Sequence, residues 1–162
     1  MKLIRVSIPI LADSESVFRV ASDYANLDQV IPEITKIEFL TDGPVGAGTR
    51  FRETRQVSKK PHTEELLVAE LDPVARRSVL ECESMGSLFR TELTVTSSEA
   101  DRCEVTLQME VKALHLLASG MWLLIGAMTH RMMTNALKKD LEHIRDFVTG
   151  VSRIEPPSDS SD

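Results

Sequence analysis

The sequence predicts an α+β domain in which a meander of antiparallel strands is followed by one long C-terminal helix. Two alternating segments, near residues 2–11 and 102–113, have the period of strands with one buried face. Turn signals recur at short intervals between them, as in a series of hairpins. From about Ala118 to Thr149 there is no proline, and most residues are good helix formers. The predicted order is one strand, two short helices, six strands and the long helix.

Local patterns define the first elements. Isoleucine and valine alternate with other residues through 4–10, which predicts the first strand. Asp13 or Ser14 is expected to cap a helix. The apolar side of that helix consists of Val17, Val20, Ala21 and Tyr24. A second short helix is predicted from about Asn26 to just before Pro32.

Six further strands are predicted between turn signals. The signals are Asp42-Gly43-Pro44, Lys59-Lys60-Pro61, Asp72-Pro73, Ser84-Met85-Gly86 and Ser97-Ser98. The last strand alternates without exception, and its apolar side is Cys103, Val105, Leu107, Met109, Val111 and Ala113. The strand before it repeats the pattern with Phe89, Thr91, Leu93 and Val95. Strands of this kind have one wet face and one buried face.

Composition limits both the architecture and the partners. The chain has 162 residues, of which 42% are hydrophobic, and we predict a single ligand-binding domain over residues 1–150. Residues 151–162 are predicted to form a disordered acidic tail, because they contain almost nothing to bury. The chain has 25 acidic and 19 basic side chains, a net charge of −6 that disfavours nucleic-acid binding.

Neither a leader peptide nor a stable membrane insertion is predicted. The first residues alternate as a strand and include Arg5, unlike a signal peptide. The apolar run from Ala113 to Met128 is interrupted by His115 and is shorter than the roughly 20 residues needed to cross a bilayer. Cys82 and Cys103 lie in separate apolar segments and are expected to be reduced core residues. These features predict a cytoplasmic protein.

Three segments and the order of elements carry a resemblance. The segments are the opening ADSESVFRVASDYANLDQVIPEI, the turn GPVGAGTRFRE that leads into a strand, and the closing LKKDLEHIRDFV. They resemble the SRPBCC superfamily of polyketide cyclases/dehydrases and lipid-transport proteins (START-like, Bet v 1-like) over about residues 1–149. The resemblance implies a helix-grip fold, in which a curved antiparallel sheet of about seven strands wraps around the C-terminal helix. It also implies a cavity for an apolar or amphipathic ligand, with Gly43 to Gly48 as a candidate gate.

The C-terminal half of the long helix has a defined core face. At 100° per residue, one stripe consists of Met133, Leu137, Leu141, Ile144 and Val148. The residues expected to lie away from it are Lys138, Lys139, Asp140, Glu142 and Arg145. Toward the N-terminus the same stripe passes through mostly small or polar residues: Ser119, Leu123, Gly126, Ala127 and His130. Small residues facing a sheet leave space, so the cavity is predicted opposite residues 119–130.

Two features of this helix leave alternatives open. His130 either orients a ligand or transfers protons near neutral pH, or it is bonded to backbone or water, or simply exposed. A second apolar stripe either lines the cavity, forms a homodimer face or contacts a membrane. The residues proposed for the homodimer are Met121, Leu124, Ile125, Met128 and Met132. Methionine suits each of these uses because it fills irregular space.

One predicted strand places charges on an apolar side. In TRFRETRQV the strand period groups Phe51, Glu53, Arg55 and Val57, and Phe51 and Val57 favour the inner face for this set. Glu53 and Arg55 would then lie in or at the rim of the cavity, paired with each other or with a ligand. A solvated pair near an opening is the alternative. Burial of either charge without a partner would be costly.

Binding of a hydrophobic or amphipathic molecule, such as a lipid, isoprenoid, quinone or polyketide-like compound, is the favoured function. The expected ligand-binding residues, on the inner strand faces and the helix, are Phe51, Glu53, Arg55, Phe89, Thr91, Leu93, Leu107, Met109, Leu123, Gly126, Ala127, His130 and Met133. The alternative is a cyclase, aromatase or dehydratase, whose catalytic candidates are His130, Glu53, Arg55 and Tyr24. A docking protein that uses the methionine stripe is a third hypothesis. The histidines are scattered, and no metal or cofactor is predicted.

Overall fold

The computed structural model describes residues 2–114 and 116–150, and for residues 116–128 only the backbone is described. Strand β1 spans Lys2–Ile10 and is followed by helix α1, Ser14–Ala21, a short 3₁₀ turn, Tyr24–Asn26, and helix α2, Leu27–Val30. Six strands follow: β2 Ile34–Phe39, β3 Arg50–Val57, β4 Lys60–Asp72, β5 Arg77–Ser84, β6 Ser87–Glu99 and β7 Arg102–Ala113. Helix α3 spans Leu116–Thr149. The predicted order of elements is confirmed.

The seven strands form one sheet in the order β1-β7-β6-β5-β4-β3-β2, and every neighbouring pair is antiparallel. The strands from β2 to β7 are joined as consecutive hairpins, whereas β1 pairs with the last strand. Register shifts interrupt β2, β4 and β6, and such bulges bend strands and increase their twist. The predicted α+β fold, a curved antiparallel sheet with a long terminal helix, is confirmed.

Helix α1 begins as its sequence predicts. The Ser16 backbone N–H donates to Asp13 Oδ1 at 2.8 Å, so Asp13 is the N-cap, and Glu15 lies in the positive first turn. Val17, Phe18 and Ala21 are buried on the side that faces the core. The cap and the apolar side together fix where this helix covers the sheet.

Helix α3 packs mainly against β1 and α1 with its C-terminal half. Leu137, Leu141 and Ile144 are buried, and Met133 and Val148 pack against the same core. At about 1.5 Å per residue the helix is roughly 50 Å long, and it ends before Gly150, whose φ of 67° is one that glycine adopts without strain. No helix in residues 2–114 and 116–150 combines the length and hydropathy needed to cross a membrane.

Candidate ligand-binding site

The inner face of the sheet is identified by its register. Ile8 pairs with Val105, and Val105 pairs with Val95, so these three buried residues form one row across β1, β7 and β6. Further rows follow at two-residue intervals along the strands. They contain Leu107, Leu93 and Ser78, then Met109, Thr91, Leu80 and Val68, then Val111, Phe89, Cys82, Leu66 and Phe51.

Burial is uneven along this inner face. Cys103 and Val105 are fully buried within the hydrophobic core, and Val95 is 3% exposed. Several apolar side chains toward the other end are only half-buried, although they point to the same side: Leu66, Leu80, Phe89, Leu107 and Met109. Thr91 lies among them and is also half-buried, whereas Val111 and Cys82 are buried. Apolar groups that are turned inward but incompletely covered provide a surface for an apolar ligand.

A charged group adjoins this surface. Arg55 on β3 donates from Nη1 to both carboxylate oxygens of Asp140 on α3, at 3.0 and 2.9 Å, and from Nε to Glu53. The exposed side-chain fractions are 28% for Arg55, 11% for Glu53 and 15% for Asp140. One guanidinium therefore serves two carboxylates, which leaves one net negative charge when both are ionised. This bridge joins α3 to the far side of the sheet from β1.

Burial and pairing act in opposite directions on these groups. Burial raises the pKa of Glu53 and of Asp140 above the ordinary carboxyl values, and Arg55 only partly opposes the increase. Burial would lower the pKa of Arg55, but Asp140 and Glu53 together raise it. Arg55 therefore stays a cation, and the carboxylates are the groups that titrate.

A second cluster of charged and polar residues lies next to the start of β2. Glu33 accepts a hydrogen bond from Lys139, and its Oε2 lies 3.4 Å from Nδ1 of His143. Burial is the largest single effect and tends to raise the pKa of Glu33, but the hydrogen bond from Lys139, a backbone hydrogen bond and the charges of His143 and Lys139 together lower it below the usual range. Asp140 and these two α3 residues thus tie the helix to both β3 and the α2–β2 connection.

Glu64 and Cys82 extend the polar part of the inner face. Glu53 lies directly opposite Glu64 in the β3–β4 register, and His62 Nε2 lies 2.9 Å from Glu64 Oε1. Burial and the Glu64 carboxylate raise the pKa of the Cys82 thiol to about 12. The thiol stays protonated near neutral pH, so Cys82 is not positioned to act as a thiolate nucleophile.

Tyr24 belongs to a cluster of aromatic rings in the core. Its ring stacks on Phe51 with a centroid separation of 5.4 Å, and Phe39 contacts Phe51 at 5.6 Å. The Tyr24 hydroxyl is buried without a hydrogen bond of good geometry. Burial raises the pKa of the phenol, and the Ser78 hydroxyl opposes that increase. Tyr24 is therefore a neutral group that packs against β3 and faces β5.

The structure brings part of the predicted site together. Phe51, Glu53 and Arg55 share the inner side of β3, and Leu93 is buried on the same sheet face as the half-buried Phe89, Thr91, Leu107 and Met109. Met133 packs against the core, whereas His130 and Met132 are exposed. The side chains of Leu123, Gly126, Ala127 and the homodimer candidates Met121, Leu124, Ile125 and Met128 lie outside the described residues, as does the predicted tail, 151–162.

One assignment on α3 is wrong, and three polar residues were missed. Asp140 was expected to lie away from the core stripe, but its carboxylate points to β3 and binds Arg55. The reason is that Asp140 borders the stripe of Leu137 and Leu141, and an inward Arg55 requires an anion. Glu33, Glu64 and Ser78 were not singled out, because only the strand register and helix placement bring them to the interior.

The predicted gate is a well-bonded loop. Gly48 N–H donates to Val68 O at 2.8 Å, Thr49 N–H donates to Gly46 O at 3.0 Å, and Gly46 N–H donates to Thr49 Oγ1 at 3.0 Å. Gly43 and Gly48 both have φ of 92°, where glycine is favoured. Within residues 2–114 and the described helix side chains, no three His, Cys, Asp or Glu residues are grouped as a metal site would require.

Comparisons with known proteins agree with this architecture. The family model "Polyketide cyclase / dehydrase and lipid transport" matches residues 1–148. Among curated proteins no sequence matches.

Three similar solved structures cover most of the chain. An aromatase/cyclase, Zhui, from Streptomyces sp. R1128 has 18% identity and a TM-score of 0.70, with 94% of this chain and 96% of that chain covered. Norcoclaurine synthase from Thalictrum flavum, solved with dopamine and hydroxybenzaldehyde, has 18% identity and a TM-score of 0.71, with 94% and 88% covered. A START superfamily protein from Mycobacterium smegmatis has 14% identity and a TM-score of 0.71, with 93% and 99% covered.

At these identities the solved structures establish the fold alone, whereas the family model extends over nearly the whole chain. The solved structures share the seven-stranded sheet and long terminal helix of this chain, and the family model matches residues 1–148. The chain belongs to the polyketide cyclase/dehydrase and lipid-transport family.

Proposed function

We propose that this protein binds a hydrophobic or amphipathic small molecule between the sheet and α3. The observation that carries the proposal is the group of inward-pointing apolar side chains that remain half-buried: Leu66, Leu80, Phe89, Leu107 and Met109. Their burial by a ligand would contribute about 25 cal/mol for each Å² of apolar surface removed from water. An isoprenoid, quinone, lipid or polyketide-like compound has the required apolar surface.

The polar part of the inner face supports an amphipathic ligand. Glu53 and Glu64 lie opposite each other at one side of the apolar surface, and Arg55 adjoins Glu53. A ligand hydroxyl or other donor group at this side would meet carboxylate oxygens. The apolar remainder would lie against the half-buried residues of β5, β6 and β7.

A fluorescence titration tests the proposal. Trp122 is the single tryptophan, so its emission reports on one position of the chain. Isoprenoid, quinone, fatty-acid and polyketide analogues are titrated, and the purified protein is examined for copurifying compounds by mass spectrometry. We expect saturable quenching by at least one class. If all four classes leave the emission unchanged and nothing copurifies, the proposal is contradicted.

Matched variants locate the binding surface. Leu80→Phe and Leu107→Phe add volume to the inner face, whereas Leu88→Phe adds the same volume to the outer face of β6. We expect the two inner variants to weaken binding at least tenfold and the outer variant to retain it. Equal effects of inner and outer variants would place the ligand elsewhere.

An enzyme of the cyclase, aromatase or dehydratase type is the second candidate. It is favoured by one observation, a carboxyl group at Glu53 whose pKa is raised by burial and which lies beside a fixed cation. Zhui is an aromatase/cyclase and norcoclaurine synthase is also an enzyme, so the fold accommodates catalysis.

Comparison of binding with turnover separates the two candidates. Glu53→Gln and His130→Ala are assayed with a polyketide-like substrate, and Tyr24→Phe tests the buried phenol. An acid–base role predicts lost turnover with retained binding in the variant concerned. If all three variants retain turnover, these residues do not supply the proton transfer.

A further inference from the structure

The two projecting hairpins at one end of the sheet have unusual turns. The loop residues Ser58 and Lys59, between β3 and β4, have φ of 50° and 66°, and the β5–β6 loop residues Met85 and Gly86 have φ of 50° and 71°. Two-residue hairpin loops with positive φ at both positions favour Asn-Gly or Asp-Gly. Serine, lysine and methionine at such positions weaken the turn, so their side chains are not explained by hairpin formation.

These turns present apolar side chains to solvent. Met85 is 73% exposed at the tip of its hairpin, and Val57, at the end of β3, is 45% exposed. Leu114 is 40% exposed, and its N–H donates to Gly86 O at 2.9 Å, which holds the end of β7 against the Met85 turn. Helix α3 starts two residues later, and residues 116–128 contain no charged side chain.

The same end of the sheet is basic. Lys59 and Lys60 are exposed at the tip of the β3–β4 hairpin, and Lys112 is exposed near the end of β7. Glu83, on β5, is an exposed acidic residue among them, and the Glu64 side chain on β4 is 37% exposed. The basic rim is defined here as Val57, Lys59, Lys60, Met85, Leu114 and Lys112. These six residues carry three positive charges, on a chain whose net charge is −6.

The opposite end of the sheet has a different character. Its turns contain Asp42, Asp72 and Asp101, and Val74, which is 88% exposed, adjoins the Asp72 carboxylate that accepts its backbone N–H. An exposed apolar residue therefore occurs at both ends. At the basic rim it shares the end of the sheet with exposed lysines.

We infer that the basic rim is a docking surface for an anionic phospholipid bilayer. Exposed apolar side chains on projecting loops can enter the headgroup region, while nearby lysines contact anionic headgroups. Charge complementarity selects this partner over a neutral membrane, and the acidic turns at the other end orient the molecule. The inference concerns a surface outside the proposed ligand-binding face, and it does not require that a ligand is bound.

Vesicle sedimentation tests the inference with the full chain and no added ligand. Phosphatidylcholine vesicles are compared with vesicles that contain about 30 mol% phosphatidylglycerol. We expect sedimentation only with the anionic vesicles, and a loss of it between about 0.05 and 0.5 M NaCl. Absence of binding to anionic vesicles, or equal binding to both compositions, would overturn the inference.

Two variants and two controls locate the surface. Lys59→Ala/Lys60→Ala should weaken binding about 30-fold, from about fivefold for each lysine near an anionic surface. Met85→Asn should weaken it about tenfold by removing the apolar side chain. It creates the Asn-Gly sequence that this turn favours, and an unchanged melting temperature excludes unfolding as the cause of lost binding. Val74→Glu and Arg102→Glu at the opposite end should retain binding. Equal losses in controls and rim variants would overturn the inference.

Sedimentation of the protein without vesicles tests whether a second copy of the chain, rather than a membrane, binds the basic rim. If the chain forms a dimer that Met85→Asn or the double lysine variant dissociates, the rim is a subunit interface and the membrane inference is overturned. If the variants have the same mass in solution as the wild-type protein, the inference is supported. The ligand titration is a separate measurement. Failure of the membrane inference therefore leaves the proposed ligand binding to be tested, and the reverse also holds.

Discussion

At the residue scale, Arg55 shows how an inward charge is accommodated. The guanidinium binds two carboxylates from different elements, and the 28% exposure of its side chain leaves one side toward solvent. Such a bridge specifies the position of α3 over β3 more than it stabilises the protein, because desolvation opposes the Coulomb attraction. Removal of one partner should therefore change the free energy of unfolding more than the intact bridge contributes to it.

Replacement of Asp140 tests this bridge. Asp140→Ala leaves Arg55 with Glu53 alone, and we expect a loss of about 2 kcal/mol in the free energy of unfolding, a value reduced for the partial exposure of Arg55. Urea unfolding measures the change. Lys138→Ala is the control, because Lys138 is exposed and lies 4.0 Å from Glu142, and it should change stability by less than about 0.5 kcal/mol. Equal losses in both variants would exclude a structural role for the bridge.

The buried carboxyls also predict a pH dependence. Burial raises the folded-state pKa of Glu53 above its ordinary value of 4.5, so the folded state binds the proton more tightly than the unfolded state. This contribution to stability is present below the ordinary pKa and is lost as pH rises through the higher folded-state pKa. Glu53→Gln should therefore gain stability relative to wild type as pH rises through that window, measured by urea unfolding at several pH values. A difference that moves the other way would contradict the pKa direction.

At the element scale, the C-terminal half of α3 is fixed by its buried stripe. Leu141 is fully buried, and Leu137 and Ile144 lie on the same side. Truncation of such a residue removes apolar contacts and leaves a cavity. The exposed side of the same helix includes Phe147, which is 52% exposed.

Leu141→Ala should lower the free energy of unfolding by about 2–5 kcal/mol. Phe147→Ala is the control on the exposed side and should cost about 1 kcal/mol or less. Chemical denaturation of both variants measures the difference. Similar values for the two substitutions would show that α3 is not anchored through this stripe.

The β3–β4 hairpin makes a second prediction at this scale. Ser58→Asn with Lys59→Gly gives the turn the sequence preferred for two positive φ values, and we expect about 1 kcal/mol of added stability. Thermal unfolding measures it as a rise of a few degrees. A lower melting temperature would show that the wild-type turn residues make stabilising contacts of their own.

At the scale of the whole molecule, an incompletely covered inner face links ligand binding to stability. A ligand that binds only the folded state should add about 2.7 kcal/mol at a concentration of 100 times its dissociation constant. For a chain of this length that corresponds to a rise of roughly 5–10 °C in melting temperature. Thermal-shift measurements with the ligand found by titration test this, and Leu80→Phe should reduce the shift. A full shift in that variant would argue against the inner face as the site.

Local patterns were sufficient for most of the fold. The alternation in β1, β6 and β7, the Asp13 cap and the stripe of Leu137, Leu141 and Ile144 depend on near neighbours along the chain, so they are legible in the sequence. The candidate site was predicted only in part. Phe51, Glu53 and Arg55 were found because strand period alone groups them, whereas Asp140 is 85 residues away from Arg55 and was assigned to the wrong side of its helix.

The sequence by itself determined the order of elements, the inward side of each clear strand and the core face of α3, because all three follow from residue periodicity and short-range caps. Only the tertiary structure decided that Glu64 opposes Glu53, that Asp140 binds Arg55, and that the lysines and Met85 gather at one end of the sheet. Those juxtapositions depend on strand register and on the placement of α3 across the sheet. Both are set by packing between distant segments, which periodicity along one segment does not encode.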